Sequence, residues 1–170
     1  MKRCVDNNIL IPEMAELLRE GKEVRFTPTG VSMRPFIEGG KDVVVLRKQS
    51  AVKVGDIALA AIQPLTSNLQ PLTSNAQPLT SNLQLLTSNT YVLHRVIAVD
   101  GETVTLLGDG NLGRTEVCTK ADILGTVIRI ENARGRRKPL TRGRLWYHLR
   151  PARRILLKIY RKLLKLGLLG

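Results

Sequence analysis

Ser32 and His94 are the residues of this chain whose types and surroundings could carry chemistry. Ser32 lies in Phe26-Thr27-Pro28-Thr29-Gly30-Val31-Ser32-Met33-Arg34-Pro35, after a glycine and before a proline. A serine hydroxyl is a poor nucleophile unless a base takes its proton and donors receive the developing oxyanion. His94 lies in the apolar, strand-like run Tyr91-Val92-Leu93-His94-Arg95-Val96. An imidazole changes protonation near neutrality and can serve as that base. The other histidine, His148, stands beside Trp146 and Tyr147 in a basic segment and reads as a surface or interfacial residue. Taken singly, each of the pair has an ordinary structural reading, because Gly-x-Ser is common in turns and a strand histidine is more often structural than catalytic.

The elements that must position this pair read mostly as strands. Strand candidates are Glu23–Thr27, Asp42–Arg47, Asp56–Ile62, Tyr91–Val99, Thr103–Leu107 and Ile123–Ile130. Asp100-Gly101 between two of them is a hairpin turn signal, and Asp56 reads as a turn organiser. Pro12 to Gly21 reads as one short helix, with Pro12 in its first turn and Gly21 as its stop. Strands that follow one another with few helical crossovers favour an antiparallel meander or coiled barrel over a parallel sheet.

Residues 63–90 interrupt this pattern with four heptads of the type Gln-Pro-Leu-Thr-Ser-Asn-Leu. The period suggests a coiled coil, but Pro64, Pro71 and Pro78 would each break a helix, and no charges occupy the flanking positions of a zipper. Four short units with one or two leucines each cannot build a solenoid core. The segment therefore reads as an exposed, disordered insertion, which costs little because closure entropy grows slowly with length. Without it, Val54–Ile62 runs almost directly into Tyr91–Val99, so the repeat replaces a hairpin loop.

Charge is distributed unevenly. Residues 134–170 hold 13 Lys and Arg and no acid, so the whole formal net charge of +13 lies there and residues 1–133 are neutral. The chain thus divides into a β domain, residues 1–133, and a basic tail, residues 134–170. Within the tail, Pro151 to Leu166 reads as an amphipathic helix, with Ile155, Ile159, Leu163 and Leu166 on one face and Arg154, Lys158, Arg161 and Lys165 on another. Some 15 residues reach roughly 22 Å, short of the ~30 Å hydrocarbon core. Residues 144–166 are therefore expected to lie on an anionic membrane surface, aided by Trp146, Tyr147 and Tyr160. Nucleic acid is the rival partner for the basic run Arg134–Arg144, but no recognition motif accompanies it. Packing of the apolar face on the domain is the structural alternative. Cys4 and Cys118 match no metal or disulfide spacing. The N-terminus lacks the apolar run of a signal peptide, and no 18-residue apolar stretch occurs, so the expected location is the cytoplasm or the inner membrane face.

The boxes Gly30-Val31-Ser32-Met33-Arg34-Pro35, Asp42-Val43-Val44-Val45, Val54-Gly55-Asp56-Ile57, His94-Arg95-Val96 and Gly108-Asp109-Gly110-Asn111 occur in an order that resembles the signal peptidase I superfamily of serine peptidases. Histidine, in place of lysine, before Arg-Val is similar to that family's Ser-His branch. The resemblance covers residues 22–130 apart from the repeat. It implies a coiled antiparallel β barrel with a short N-terminal helix, to which the chain adds its basic C-terminal helix. It implies Ser32 as nucleophile, His94 as base and Asp109 as the supporting acid that fixes the imidazole tautomer; Asp109 also reads as a plain turn residue. The Ser32 N–H would be one oxyanion donor, and Met33 lies either at the substrate cleft or in the core. Many members carry a hydroxyl residue where this chain has Gly30, and the branch's second acid has no aspartate match here, only Glu116 nearby. The resulting expectation is a serine endopeptidase acting on a leader or exposed segment of a peptide or protein, with no cofactor and no metal. The alternative is a catalytically silent binding or regulatory module with a membrane-surface or nucleic-acid-binding tail.

Overall fold

Runs of apolar residues, continuous in the central strands, build most of the molecule into one curled antiparallel sheet. The computed structural model describes residues 7–62, 90–140, 146, 149 and 152–168. The elements are α1 (Asn7–Arg19), β1 (Val24–Phe26), β2 (Val43–Arg47), β3 (Ile57–Ile62), β4 (Thr90–Asp100), β5 (Thr103–Leu107), β6 (Thr115–Thr119), β7 (Ile123–Glu131), β8 (Arg137–Lys138) and α2 (Arg153–Lys165). A 3₁₀ turn, Lys120–Asp122, joins β6 to β7. The strand order is β1-β2-β7-β3-β4-β5-β6, with β8 beside β7, and every pairing is antiparallel. The sheet is a half-barrel: it curls, with β1 and β6 as its two ends.

β3 explains how the sheet holds a core on both sides. Its run Ile57-Ala58-Leu59-Ala60 is buried throughout. Ile57 and Leu59 pack with Met14, Leu18, Met33, Ile37, Val44 and Ile130. Ala58 and Ala60 face the opposite cluster, with Val96, Val104, Leu106, Cys118 and Ile123. A strand buried on both faces shows a continuous apolar run rather than alternation.

α1 starts earlier than the sequence suggests. Pro12 is inside the helix rather than in its first turn, and the helix begins at Asn7. The proline removes one intrahelical bond, and the buried side chains Ile11, Met14, Ala15 and Leu18 supply the packing that holds the helix regardless. The stop at Gly21 is as expected: its φ is +79°, and Lys22 N–H donates to the Leu17 carbonyl at 3.0 Å, closing the helix through a left-handed glycine.

Ile62 pairs with Thr90, so β3 and β4 meet directly at the ends of the repeat. Thr90, the last residue of the fourth heptad, belongs to β4. The expectation of disorder in the insertion concerns residues 63–89, which lie outside the described residues, as do Cys4, Tyr147 and His148. At the other end of β4, Asp100 pairs with Thr103 across a tight turn whose Gly101 has φ +54°.

The basic segment does not begin as a separate tail. Arg137 and Lys138 form β8 against β7, and Lys138 Nζ donates to the buried carboxylate of Asp42 at 2.6 Å. Among the described residues, no helix is long and apolar enough to cross a membrane.

Candidate active site

β4 carries His94 opposite Ala58 of β3. β5 pairs with β4 from Arg95 onward, so the stretch Thr90–His94 is paired on one side only. Ser32 sits in the turn-rich loop between β1 and β2, which faces Tyr91–His94 across a cavity. Ser32 Oγ and His94 Nε2 are 2.9 Å apart, and His94 is 6 % exposed. The structure thus brings together two residues separated by 62 positions.

The other ring nitrogen, His94 Nδ1, lies 2.8 Å from Glu116 Oε2. Glu116 comes from β6, two strands away, where it pairs with Leu106 of β5. Glu116 and Cys118 share the inward face of β6, while Thr115, Val117 and Thr119 face solvent. A carboxylate accepting Nδ1–H leaves Nε2 with its lone pair toward Ser32, which is the tautomer that can take the hydroxyl proton.

Asp109 does not occupy that place, contrary to the expectation that it supports the imidazole. Its carboxylate accepts from Arg95 in bidentate fashion, Nε at 2.8 Å and a terminal nitrogen at 2.7 Å. Both side chains are buried, at 3 % and 2 % exposure. Arg95 also donates to the Gly55 carbonyl at 2.7 Å and stands over the Phe36 ring. Arg95 follows His94 on the strand, so its side chain leaves the opposite face. The acid therefore locks the residue next to the histidine and not the histidine.

The Gly108–Gly110 turn holds the Ser32 loop from behind. Gly110 N–H donates to the Ser32 carbonyl at 2.6 Å. A Cβ on Gly108 would lie 2.7 Å from that same carbonyl oxygen, and one on Gly110 3.0 Å from the Val31 carbonyl oxygen, so the approach requires glycine. The C-terminal segment in turn grips this turn. Trp146 Nε1 donates to the Asp109 carbonyl at 3.1 Å, Arg153 donates to the carbonyls of Gly108 and Asp109 at 2.5 and 2.7 Å, and Arg161 donates to that of Gly110 at 3.2 Å. Phe36 meets the Trp146 ring edge-on, at 5.7 Å between centroids. Trp146 is 9 % exposed. It is a docking residue on the domain and does not project outward as a membrane anchor.

A cavity of about 140 Å³ opens beside the pair, lined by Gly30, Met33, Ile37, Tyr91 and Leu93 together with Ser32 and His94. Met33, 5 % exposed, belongs to the core cluster and to this wall at once. Gly30 has φ +90°, and a Cβ on the facing Gly39 would lie 2.1 Å from its carbonyl oxygen. Asp56 organises a turn as expected, accepting from Lys53 N–H at 2.9 Å. Among the described residues no cluster of three or more His, Cys, Asp or Glu could hold a metal ion.

Sequence reasoning noted Glu116 only as the residue near the place of the branch's second acid; it set Asp109 beside His94 instead and missed the strand that carries Glu116. The available signal was the alternation in Thr115-Glu116-Val117-Cys118-Thr119, which sets Glu116 on the same face as an apolar thiol. It also missed the grip of Trp146, Arg153 and Arg161 on the turn, for which the sequence holds no local signal. No protein-family model matches this chain, and no curated protein matches it in sequence.

Proposed function

We propose that this chain is a serine hydrolase working through Ser32, His94 and Glu116. More particularly, it is an endopeptidase similar to the Ser-His branch of the signal peptidase I superfamily. The observation that carries the reading is the continuous relay of contacts, Ser32 Oγ to His94 Nε2 at 2.9 Å and His94 Nδ1 to Glu116 Oε2 at 2.8 Å. Both are within the reach needed for proton transfer and for orienting the base.

In the proposed cycle Ser32 Oγ attacks the scissile carbonyl carbon as its proton passes to His94 Nε2. Glu116 stabilises the imidazolium without taking its proton. The Ser32 backbone N–H, which has no backbone acceptor among the described residues, is directed to the oxyanion. His94 then protonates the leaving amine as the C–N bond breaks, leaving an acyl ester on Ser32. Water, deprotonated by the same imidazole, hydrolyses the ester. An extended peptide suits this site, since the unpaired edge of Thr90–Leu93 offers main-chain donors and acceptors and the adjoining cavity receives a side chain.

The test is labelling of the full chain by a fluorophosphonate, followed by mass spectrometry of the adduct. Labelling at Ser32 that is lost in Ser32→Ala and in His94→Ala is expected, together with cleavage of members of a peptide library. A folded wild-type protein that neither labels nor cleaves would leave the silent binding module as the better reading.

A further inference from the structure

α2 is amphipathic in an unequal way. At about 100° per residue, its apolar sector covers more than half the circumference, and the domain takes only part of it. Leu157, 1 % exposed, is buried against the body, with Leu156 and Tyr160 half-buried beside it. Ile155, Ile159 and Leu166 form a second stripe that remains 64 %, 51 % and 62 % exposed. Next to that stripe lies an arc of Arg154, Lys158, Lys162 and Lys165, all exposed and none in an ion pair among the described residues. The helix contains no acidic residue.

We propose that this outer face of α2 docks on an anionic phospholipid surface, with Ile155, Ile159 and Leu166 in the acyl–headgroup boundary and the basic arc on the lipid phosphates. An apolar stripe beside unpaired cations fits an interface that is apolar below and anionic above. Each lysine or arginine held at such a surface strengthens binding by about fivefold. A second copy of the chain fits poorly, because burying two such stripes together would align two basic arcs. Nucleic acid would satisfy the cations but leave the isoleucines in water. The 13-residue helix lies along the surface, since about 20 Å of helix cannot span the bilayer. Its inner face stays on the domain throughout, through Leu157 and the bonds of Arg153 and Arg161 to the Gly108–Gly110 turn.

Co-sedimentation of the full chain with unilamellar vesicles tests this independently of any peptidase activity. Binding is expected to vesicles of phosphatidylglycerol and phosphatidylcholine, at least tenfold weaker binding to phosphatidylcholine alone, and weakening with salt. The exposed pair Ile155→Asn/Ile159→Asn should bind at least tenfold less tightly with an unchanged melting temperature. Leu166→Asn, at the C-cap just past the last helical residue, should weaken binding in the same direction. Lys158→Glu/Lys162→Glu/Lys165→Glu should abolish the preference for anionic lipid. The proposal is overturned if the wild type ignores anionic vesicles, if it binds both lipid compositions equally, or if the asparagine variants bind as the wild type does. Binding to duplex DNA that is insensitive to the isoleucines, with no vesicle binding, would assign the face to nucleic acid instead.

Discussion

The two acids near the candidate site have opposite jobs, and substitutions can tell them apart. Glu116 touches the imidazole, whereas Asp109 is buried against Arg95. Glu116→Gln keeps the shape of the side chain but removes the charge that stabilises an imidazolium and fixes its tautomer. Peptide hydrolysis should fall roughly 10²–10⁴-fold with little change in melting temperature. Asp109→Asn should do the reverse, because it strands a buried guanidinium; the expected cost is about 3–5 kcal/mol of stability, read by urea denaturation. If Asp109→Asn melts like the wild type but loses all activity, the assignment of roles is wrong. Hydrolysis should also fall on acidification, since a protonated His94 cannot accept the Ser32 proton. Ser32 and His94 were legible in the sequence because each sits in a short, ordered box. The contact of Glu116 with His94 was not, although Glu116 was noted nearby, because an acid's partner is decided by which face of which strand it leaves. Asp109 occupies a conspicuous Gly-Asp-Gly-Asn turn and Glu116 an unremarkable polar strand, and only the stacking of β6 beside β5 and β4 ranks one above the other.

Among the elements, the strands with strong apolar patterns were readable to within a residue or two, β5 to the residue. The short polar ones were not. β6 and β8 carry charge or hydroxyls on most positions, and their pairing to β5 and β7 is a tertiary preference that overrides weak local signals. The repeat hid the β3–β4 hairpin only in sequence, since Ile62 and Thr90 face each other across the ladder. Replacing residues 63–89 with Asn-Gly should therefore preserve the fold and the labelling of Ser32. Shortening the closure should raise stability by up to about 2 kcal/mol, measured from denaturant midpoints. A protein that no longer folds would show that the segment contributes to the core. The C-terminal segment behaves differently. Arg153→Ala removes a donor from two carbonyls of the turn that also binds the Ser32 carbonyl, with Arg153 itself only 7 % exposed. A loss of about 1–3 kcal/mol is expected, and with it slower acylation, because Ser32 loses part of its backing. Unchanged acylation at full folding would separate the helix from the nucleophile.

For the molecule as a whole, the division into a neutral domain and a basic end is real in charge but not in contact. β8 and α2 carry basic residues yet are built into the domain, through Lys138 on Asp42 and Arg153 on the Gly108–Gly110 turn. Composition could reveal the charge asymmetry; it could not reveal that part of the charge is spent on holding the body together. Alkaline stability separates such buried groups from the exposed cations. Burial, and then the nearby Asp122 carboxylate, push the Cys118 thiol up from 9.0 to about 11. Burial likewise raises the Tyr160 phenol above its ordinary value of 10.0, with Arg34 and Lys41 pulling the other way. The folded chain thus holds the thiol proton more tightly than the unfolded chain does. The Cys118 contribution is complete below about pH 9 and is lost as pH rises through about 11. The self-repulsion of a chain of net charge +13 is common to wild type and to a variant at Cys118, so it cancels in a comparison of the two. Comparing wild type with Cys118→Val isolates the thiol, because valine keeps an apolar side chain opposite Val104 in the same buried cluster without a titrating group. Denaturant midpoints taken at pH 8 and pH 10.5 should fall less for the valine variant than for the wild type. Equal declines would mean that the thiol is as accessible to base in the folded chain as in the unfolded one, and that the inward face of β6, on which Glu116 also depends, is not closed.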